Sequence, residues 1–440
     1  MMGGKKEKYN PLEITLGNID ELRCIDVERE AQAELTDVIK WTGLAKSIDS
    51  LAESKADWDR VLAYFEESGV EGDDLHLWRA YCTLIQQRYA RIYDDILRIT
   101  DILARDYFFS FIRSNRLKRA RIRYTAEAVP LTFLGSSEDY FYTYTVTTER
   151  PIAIISVPTS GIESAWSWLA LPHEVGHNIS ANVIGLLKEI TGKVEKRLRR
   201  HRYHLNGKPP YGVSNSEMFK YLWYAWMDEV VADFIGILYA GPAYVLSRYQ
   251  DAIPEAYGVD RVDHFHITVA EMQVPPHPNC YIRVFFLCRM LELLDFPEEA
   301  RVILKRWKSK HRNIDCIHVI DPDRHQAELF TIPVEELLRS FEEVVDVLCC
   351  SPQSSLGRNN LCDIIRYTPL DFEVTKYISG QLTRSDDMDL PELARPGQIL
   401  AASRLAFERD PEEADCIHSN TIRGILMRED RAGKPMEPAT

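Results

Sequence analysis

The sequence contains no Cys-x-x-Cys pair, and its 9 cysteines are scattered irregularly over 440 residues. Disulfide frameworks and cysteine-based zinc modules need regular, close spacings, so the sequence indicates neither class. Cys316 and His318 are too close in sequence, and lack the second pair, for a structural zinc site. We therefore expect mostly buried thiols in a reducing compartment.

The N-terminus has lysines but no apolar segment behind them, and Gly3 follows two methionines. The sequence therefore predicts neither a secretory signal nor N-myristoylation. An uninterrupted apolar run of membrane-spanning length is also missing. The most apolar stretch, 221–246, is interrupted by three acidic residues, which are costly in a lipid-exposed helix. These observations predict a cytoplasmic protein that does not enter a membrane.

Basic residues are outnumbered, because 53 Lys and Arg face 67 Asp and Glu and give a formal net charge of −14. A chain this acidic is a poor general binder of nucleic acid. Two basic runs, 113–123 and 193–202, are better explained as solvated helical faces paired with acids than as nucleic-acid sites. The sequence also lacks a P-loop, a GxGxxG and a GxSxG, so it does not indicate nucleotide-binding or serine-elbow chemistry.

Apolar residues recur at helical spacing through most of the chain, which predicts a mainly α fold. We expect a helical N-terminal region over 1–128 and a helical C-terminal region over 296–440. Residues 73–113 contain no Pro or Gly, which indicates one long helix or two nearly continuous helices. The sequence shows no internal repeat, so solenoid and propeller architectures are not indicated.

The central region, 129–295, combines strand and helix patterns. Its segment 139–158 is rich in Tyr, Thr, Ile and Val, and the TTERP break within it indicates a hairpin or a short meander. The sequence PIAIISVP is apolar on both faces, as expected of a strand buried between layers. Helices are predicted over about 164–204, over 215–240 up to Gly241-Pro242, and over 281–294 after a Pro-rich turn.

The clearest chemical signal is the sequence HEVGH at 173–177. On a helix, His173 and His177 share a face and can reach one metal ion, and Glu174 can point toward a water held by that ion. Zinc lowers the pKa of such a water from about 16 to about 7, and a nearby carboxylate can then take its proton. The alternative is a pair of helix-surface histidines. Pro172 either starts this helix or kinks it.

A metal bound by two histidines needs a further protein ligand, and DEVVAD at 228–233 offers candidates. Glu229 and Asp233 share one face of an otherwise apolar helix, where buried carboxylates need a partner. We expect Glu229 to bind the metal and Asp233 to accept the N–H of His173. Asp233 is the alternative ligand, and Asp228 is the fallback. Ala232 is small enough to let the two helices approach.

HEVGH followed about 50 residues later by EVVAD resembles the gluzincin class of zinc metallopeptidases. The E-x-x-A-D form is especially similar to the minigluzincins and to the prenyl-protein-protease-like group. The resemblance implies zinc on His173, His177 and Glu229, with Glu174 as general base and Asp233 orienting a ligand histidine. It also implies an active-site helix with a substrate-pairing edge strand just before it, a place that PIAIISVP could take.

This resemblance covers about residues 150–290, and it has limits. Metzincins continue their motif with Gly and then His or Asp, but Ser180 and Val183 stand at those positions, so that class is excluded. The membrane helices of the prenyl-protease group are missing, so we do not expect its substrate. The strings HEVGH, DEVVADFIG, GPAY and HPNCYIRV also resemble uncharacterised prokaryotic cytosolic metallopeptidases.

Gluzincins also supply a donor to the oxyanion that forms during hydrolysis. In the segment 277–283 a proline-stiffened turn runs into a helix, and His277, Tyr281 and Arg283 are competent donors there. We rank His277 first, then Tyr281, then Arg283. The alternative is that His277 is a turn residue and Arg283 an ion-pair partner.

These patterns predict a mainly α protein with a zincin-like catalytic core, in which a small β-sheet or edge strand lies beside the HExxH helix. The expected function is zinc-dependent hydrolysis of peptide bonds in a cytosolic protein or peptide, through a zinc-bound water activated by Glu174. One alternative is a catalytically silent, zinc-stabilised scaffold or regulatory protein. Another is a nucleic-acid-associated factor that uses the two basic runs.

Overall fold

The computed structural model describes residues 41–432, apart from short segments at 49–50, 52–54, 69–72, 92, 124–128, 136–140, 146–151, 253–258, 260, 269–272, 325–326 and 385–387. The predictions made for residues 1–40 lie outside the described residues. In the described part the fold is mainly α with small mixed sheets, as the sequence predicts.

The chain divides into two compact units, of which one comprises residues up to Asp95 together with 148–151. It contains α1 (Lys55–Ser68) and α2 (Asp73–Ala90), and residues 41–45 are also helical. Trp58 and Phe65 of α1 make edge-to-face contacts with the Tyr81 ring of α2, so an aromatic cluster joins the two helices.

The other unit comprises residues 96–147 and 152–440. Helix α3 (Asp94–Ile112) starts two residues before this unit and shortly after α2 ends, with Arg91 at a φ of 54° in between. The prediction of two nearly continuous helices over 73–113 is therefore confirmed. The later helices are α4 (Leu171–Asn182), α5 (Leu186–Leu198), α6 (Asn215–Asp251), α7 (Cys280–Leu293), α8 (Pro297–Lys310), α9 (Val334–Cys350), α10 (Leu361–Ile364), α11 (Pro369–Leu382), α12 (Pro396–Arg409) and α13 (Ala414–Leu426).

A three-stranded sheet precedes α4 and consists of β1 (Leu131–Gly135), β2 (Tyr142–Tyr144) and β3 (Ile154–Pro158) in the order β1–β3–β2. Strand β2 is antiparallel to β3, which confirms the predicted hairpin, and β1 is parallel to β3. The expectation that PIAIISVP forms the edge strand is wrong. This segment supplies the central strand, which pairs with β1 on one side and β2 on the other and is fully buried.

A second sheet contains β4 (Asn206–Gly207), β5 (His264–His266), β6 (Cys316–Asp321) and β7 (Ala327–Pro333) in the order β4–β7–β6–β5. The C-terminal region was expected to be helical, so β6 and β7 are a correction. Both strands are short and rich in residues with branched or aromatic side chains, which favour strands. The described cysteines are all free thiols, but only Cys280 and Cys288 are buried, which is fewer than expected.

Helix α6 is interrupted at Gly241, whose φ of 51° and ψ of −131° are not helical. Glycine adopts a positive φ without a Cβ clash, and Pro242 cannot donate a backbone hydrogen bond, so the predicted helix stops here. A second helical segment then continues to Asp251. Residues 215–250 are long and apolar enough to cross a membrane, but their most apolar window is 94% buried inside the fold, as in a core helix.

Candidate metal centre

Helix α4 carries the HEVGH sequence and begins at Leu171, directly after a 3-10 turn. Pro172 lies in the first turn, where its missing N–H breaks no intrahelical hydrogen bond. The helix therefore starts at this proline and is not kinked by it. His173 and His177 lie one turn apart and face α6.

Glu229 of α6 meets both histidines. Its Oε2 lies 3.1 Å from Nε2 of His173, and its Oε1 lies 3.4 Å from Nε2 of His177. The two Nε2 atoms are themselves 3.2 Å apart. All three side chains are buried, and they form a group that could hold a metal ion. We call His173, His177 and Glu229 the metal triad.

Each histidine of the triad contacts a further carboxylate through its other ring nitrogen. Nδ1 of His173 lies 3.0 Å from Oδ1 of Asp233, and Nδ1 of His177 lies 2.9 Å from Oδ2 of Asp228. A carboxylate only accepts hydrogen bonds, so these contacts assign the ring proton of each neutral histidine to Nδ1. Both Nε2 lone pairs then point into the space shared with Glu229. Such converging lone pairs fit a bound cation.

The electrostatics of the triad also favour a cation. Burial lowers the pKa of His177, but Asp228 and Glu229 outweigh it and raise the pKa well above its ordinary value. Burial would raise the pKa of Glu229, yet the nearby histidines bring it well below its ordinary value. The carboxylates therefore surround the ring nitrogens with negative charge that stabilises positive charge at this point.

Asp233 is fixed by two further side chains. Arg283 of α7 contacts it with two nitrogens, Nε 2.7 Å from Oδ2 and Nη2 2.8 Å from Oδ1. The hydroxyl of Tyr244 donates to Oδ1 at 2.6 Å. Burial would raise the pKa of Asp233, but Arg283 and His173 together hold it far below its ordinary value. Asp233 is therefore a buried, fully charged acceptor.

The three predicted oxyanion donors lie in different places. His277 is beside the metal triad, with Nε2 3.1 Å from Oε2 of Glu229 and a side chain that is 47% exposed. Arg283 is also at the site, 3.5 Å from Glu229, but two of its nitrogens bind Asp233. The structure does not bring Tyr281 to the triad, because its ring packs against Phe285, Trp307 and His311. Residues two apart on a helix point about 200° apart, which separates Tyr281 from Arg283.

Glu174 is buried in the first turn of α4, next to His173. One turn further on, Asn178 donates to the backbone oxygen of Glu174 at 3.0 Å and to Oγ1 of Thr143 at 2.8 Å. Thr143 belongs to β2, so Asn178 connects the HEVGH helix to the outer strand of the sheet. Strand β2, and not β3, is therefore the strand beside this helix.

Two residues of the site were not foreseen in their observed positions. Asp228 was considered only as a fallback ligand, although it contacts His177 in the way that Asp233 contacts His173. The sequence indicates this contact only through the position of Asp228, directly before Glu229. No spacing rule indicates a role for Tyr244, because its position depends on the break of α6 at Gly241.

The basic run 193–202 lies on and after α5 and is paired with acids. Its ion pairs join Lys193 to Glu189, Arg199 to Glu195 and Arg197 to Glu343, and His201 also contacts Glu343. This arrangement agrees with the interpretation of the run as a solvated, charge-paired face.

Comparisons with family models, with curated proteins and with solved structures gave no match for this chain. The function is therefore argued from the side chains of the site. The metal triad loosely fits an HExxH motif completed by a downstream glutamate.

Proposed function

We propose that this protein is a zinc-dependent peptidase of the gluzincin type, which hydrolyses peptide bonds of a cytoplasmic protein or peptide. The observation that carries the proposal is the buried metal triad with Glu174 directly beside His173. Three protein ligands leave a coordination position for water or substrate, as in catalytic zinc sites, whereas structural zinc sites use four. The HExxH pattern gives Glu174, which follows His173 in the sequence, the role of the general base.

The distances within the triad support zinc. A tetrahedral ion with bonds of about 2.0–2.1 Å to nitrogen and oxygen separates neighbouring ligand atoms by about 3.3–3.4 Å. The 3.2 Å between the two Nε2 atoms and the 3.1 Å from Nε2 of His173 to Oε2 of Glu229 are close to this geometry, whereas the 3.4 Å contact of His177 is with the other oxygen, Oε1. Two imidazoles and one carboxylate also bind iron(II) in some enzymes, but a carboxylate adjacent to the first histidine suits hydrolysis.

Zinc in this site would supply a Lewis acid that lowers the pKa of a coordinated water to about 7. Glu174 would take a proton from the attacking water and deliver it to the nitrogen of the leaving amine. His277, half-exposed beside Glu229, would donate to the substrate oxygen on which negative charge develops. Asp228 and Asp233 would keep both ligand imidazoles in the required tautomer.

Strand β2 suggests how a peptide would bind. It pairs with β3, and Asn178 ties it to the HEVGH helix. An extended peptide that bound along this helix next to β2 could use main-chain hydrogen bonds. This mode of binding accepts peptides of varied sequence, which is consistent with a peptidase.

The test combines elemental analysis of the purified protein with a cleavage screen on a peptide mixture. We expect one zinc per chain, and cleavage that a chelator abolishes and added zinc restores. Glu174→Gln keeps the size of the side chain but cannot take a proton, so it should retain zinc and lose about 10²–10⁴-fold in rate.

Four outcomes would contradict this proposal. A protein that purifies without zinc and takes up none, or one that carries iron, has a different function. Equal cleavage by the wild type and Glu174→Gln would assign the activity to a contaminant. Zinc at unit stoichiometry without cleavage of any peptide would favour the silent scaffold.

A further inference from the structure

Tyr244 follows the break in α6, yet its hydroxyl returns to the metal triad. It donates to Oδ1 of Asp233 at 2.6 Å and lies 3.2 Å from Nδ1 of His173. The side chain is fully buried. We propose that Tyr244 is a positioning residue, which holds Asp233 and through it fixes the orientation of His173 for metal binding. This inference rests on the metal site proposed above but not on peptidase turnover.

The backbone break is what brings Tyr244 to this place. On an unbroken helix, Tyr244 would lie about 16 Å along the axis from Asp233, beyond the reach of its side chain. The non-helical Gly241 turns the chain, and the Tyr244 ring then packs onto the preceding helical segment at Gly236. A Cβ on Gly236 would lie 2.5 Å from Cε2 of that ring, so only glycine leaves room for it.

A residue of the C-terminal region, Tyr367, packs against the break in α6 at Gly241. A Cβ on Gly241 would overlap the ring of Tyr367, which therefore fills the space that glycine leaves open. The hydroxyl of Tyr367 donates to Oγ1 of Thr375 on α11 at 2.6 Å, which fixes the ring. A region without a predicted role thus supports the segment that carries Tyr244.

The hydroxyl completes the hydrogen bonding of a buried carboxylate. Oδ1 of Asp233 faces Tyr244, Nη2 of Arg283 and Nδ1 of His173, and Oδ2 faces Nε of Arg283. Three donors therefore converge on Oδ1 and one on Oδ2, and contacts at both oxygens restrict rotation of the Asp233 carboxylate. A fixed Asp233 fixes the plane and the tautomer of His173, and it directs Nε2 toward the metal. Without the hydroxyl, Oδ1 loses its shortest hydrogen bond, and the 3.2 Å contact of the hydroxyl with Nδ1 of His173 is lost as well, so the Asp233–His173 pair is held less firmly.

The first experiment compares two tyrosines of the same chain segment. Tyr244→Phe removes the hydroxyl and keeps the ring on Gly236. We expect its affinity for zinc, measured by competition with a chromophoric chelator, to fall about 10-fold. Tyr239→Phe is the matched control, because the Tyr239 hydroxyl is also buried but bonds to the backbone oxygen of Tyr107 and lies near Ser110. The control should keep the zinc affinity of the wild type.

Spectroscopy and a double-mutant cycle separate positioning from a general loss of stability. The visible spectrum of the cobalt(II)-substituted protein reports ligand geometry, so Tyr244→Phe should change it and Tyr239→Phe should not. If Tyr244 acts through Asp233, then Tyr244→Phe should have little further effect on zinc affinity in an Asp233→Asn background. Thermal unfolding of each variant, measured with a chelator present, shows whether removal of each tyrosine hydroxyl lowers the stability of the protein by a similar amount.

The inference is overturned if Tyr244→Phe binds zinc as tightly as the wild type. It is also overturned if Tyr239→Phe loses the same affinity, or if the losses from Tyr244→Phe and Asp233→Asn add. A wild-type protein that binds no zinc would instead contradict the proposed function, so the two failures are distinguishable.

Discussion

A Cβ atom on Gly176 would lie 2.9 Å from the Cα of Ala232. Gly176 is the fourth residue of HEVGH on α4, and Ala232 lies between Glu229 and Asp233 on α6. Because neither residue carries a large side chain, the two helices pack closely enough for ligands from both to meet within 3.1–3.4 Å. The metal triad can therefore form only because α4 and α6 approach this closely.

This contact predicts an unusual response to Gly176→Ala. Replacing a helical glycine by alanine normally stabilises a helix by about 0.5–1 kcal/mol. Here the added methyl group meets backbone atoms of Ala232, so we expect a lower melting temperature and loss of bound zinc. Gly192→Ala on α5 is the control, since nothing lies within 4 Å of the new methyl group. Similar melting temperatures and zinc contents in both variants would contradict the prediction.

The three carboxylates of the site should differ in their effect on zinc binding. We expect Glu229→Ala to empty the site, because it removes a ligand. Asp233→Asn and Asp228→Asn should weaken binding by about 10–100-fold, since each contacts a ligand histidine through Nδ1 and does not belong to the metal triad. The effect should be smaller for Asp228, whose side chain is 48% exposed. Zinc titrations check the order, and an empty site in Asp233→Asn with zinc retained in Glu229→Ala would exchange the two roles.

His277 should affect catalysis without affecting metal content. Its imidazole lies beside Glu229 but outside the metal triad, and it is partly exposed. We expect His277→Ala to keep the fold and the zinc while kcat falls about 10²–10³-fold and KM changes less. Tyr281→Phe serves as control, because the Tyr281 ring packs against Trp307 and not against the triad. Unimpaired turnover in His277→Ala would leave the oxyanion donor unassigned.

The sequence predicted features that depend on local spacing. Histidines four residues apart, and Glu229 and Asp233 four residues apart, must share a helical face wherever the helix packs. Pro172 and Gly241 likewise mark helix ends through their own backbone preferences. These local rules suffice to bring the metal triad together once α4 packs against α6.

The spacing of residues in the sequence does not show which strands pair or which segments of the chain pack together. An apolar strand such as β3 is equally compatible with a central or an edge position, and only its pairing with β1 and β2 decides. The contact between Tyr244 and Asp233 requires both the dihedral angles of Gly241 and the empty space at Gly236. Such information is three-dimensional and leaves no periodic trace in the sequence.

Glu189 provides a prediction for pH that is separate from the metal. Its carboxylate accepts hydrogen bonds from Nζ of Lys193 at 2.8 Å and from the backbone N–H groups of Ser354 and Ser355 at 2.7 and 2.8 Å. Partial burial raises the pKa of Glu189, but these donors outweigh it and lower the pKa from an ordinary value of 4.5 to about 2. Glu189 thus anchors the loop after α9 to α5 through its negative charge.

Because the pKa of Glu189 is lower in the folded chain than in the unfolded chain, its contribution to stability is complete above pH 4.5 and is lost as the pH falls toward about 2. We expect Glu189→Gln to lower the free energy of unfolding by about 1–2 kcal/mol at neutral pH, since it removes bonds to a charged acceptor at a partly exposed site. The difference from the wild type should shrink when urea unfolding is measured below pH 4.5, because protonation of Glu189 then removes the same interaction from the wild type.

Glu298→Gln is the control, because its side chain is 72% exposed and a surface ion pair contributes little. A difference between the wild type and Glu189→Gln that stays constant down to the acid transition would show that the loop is held by packing rather than by the charge of Glu189.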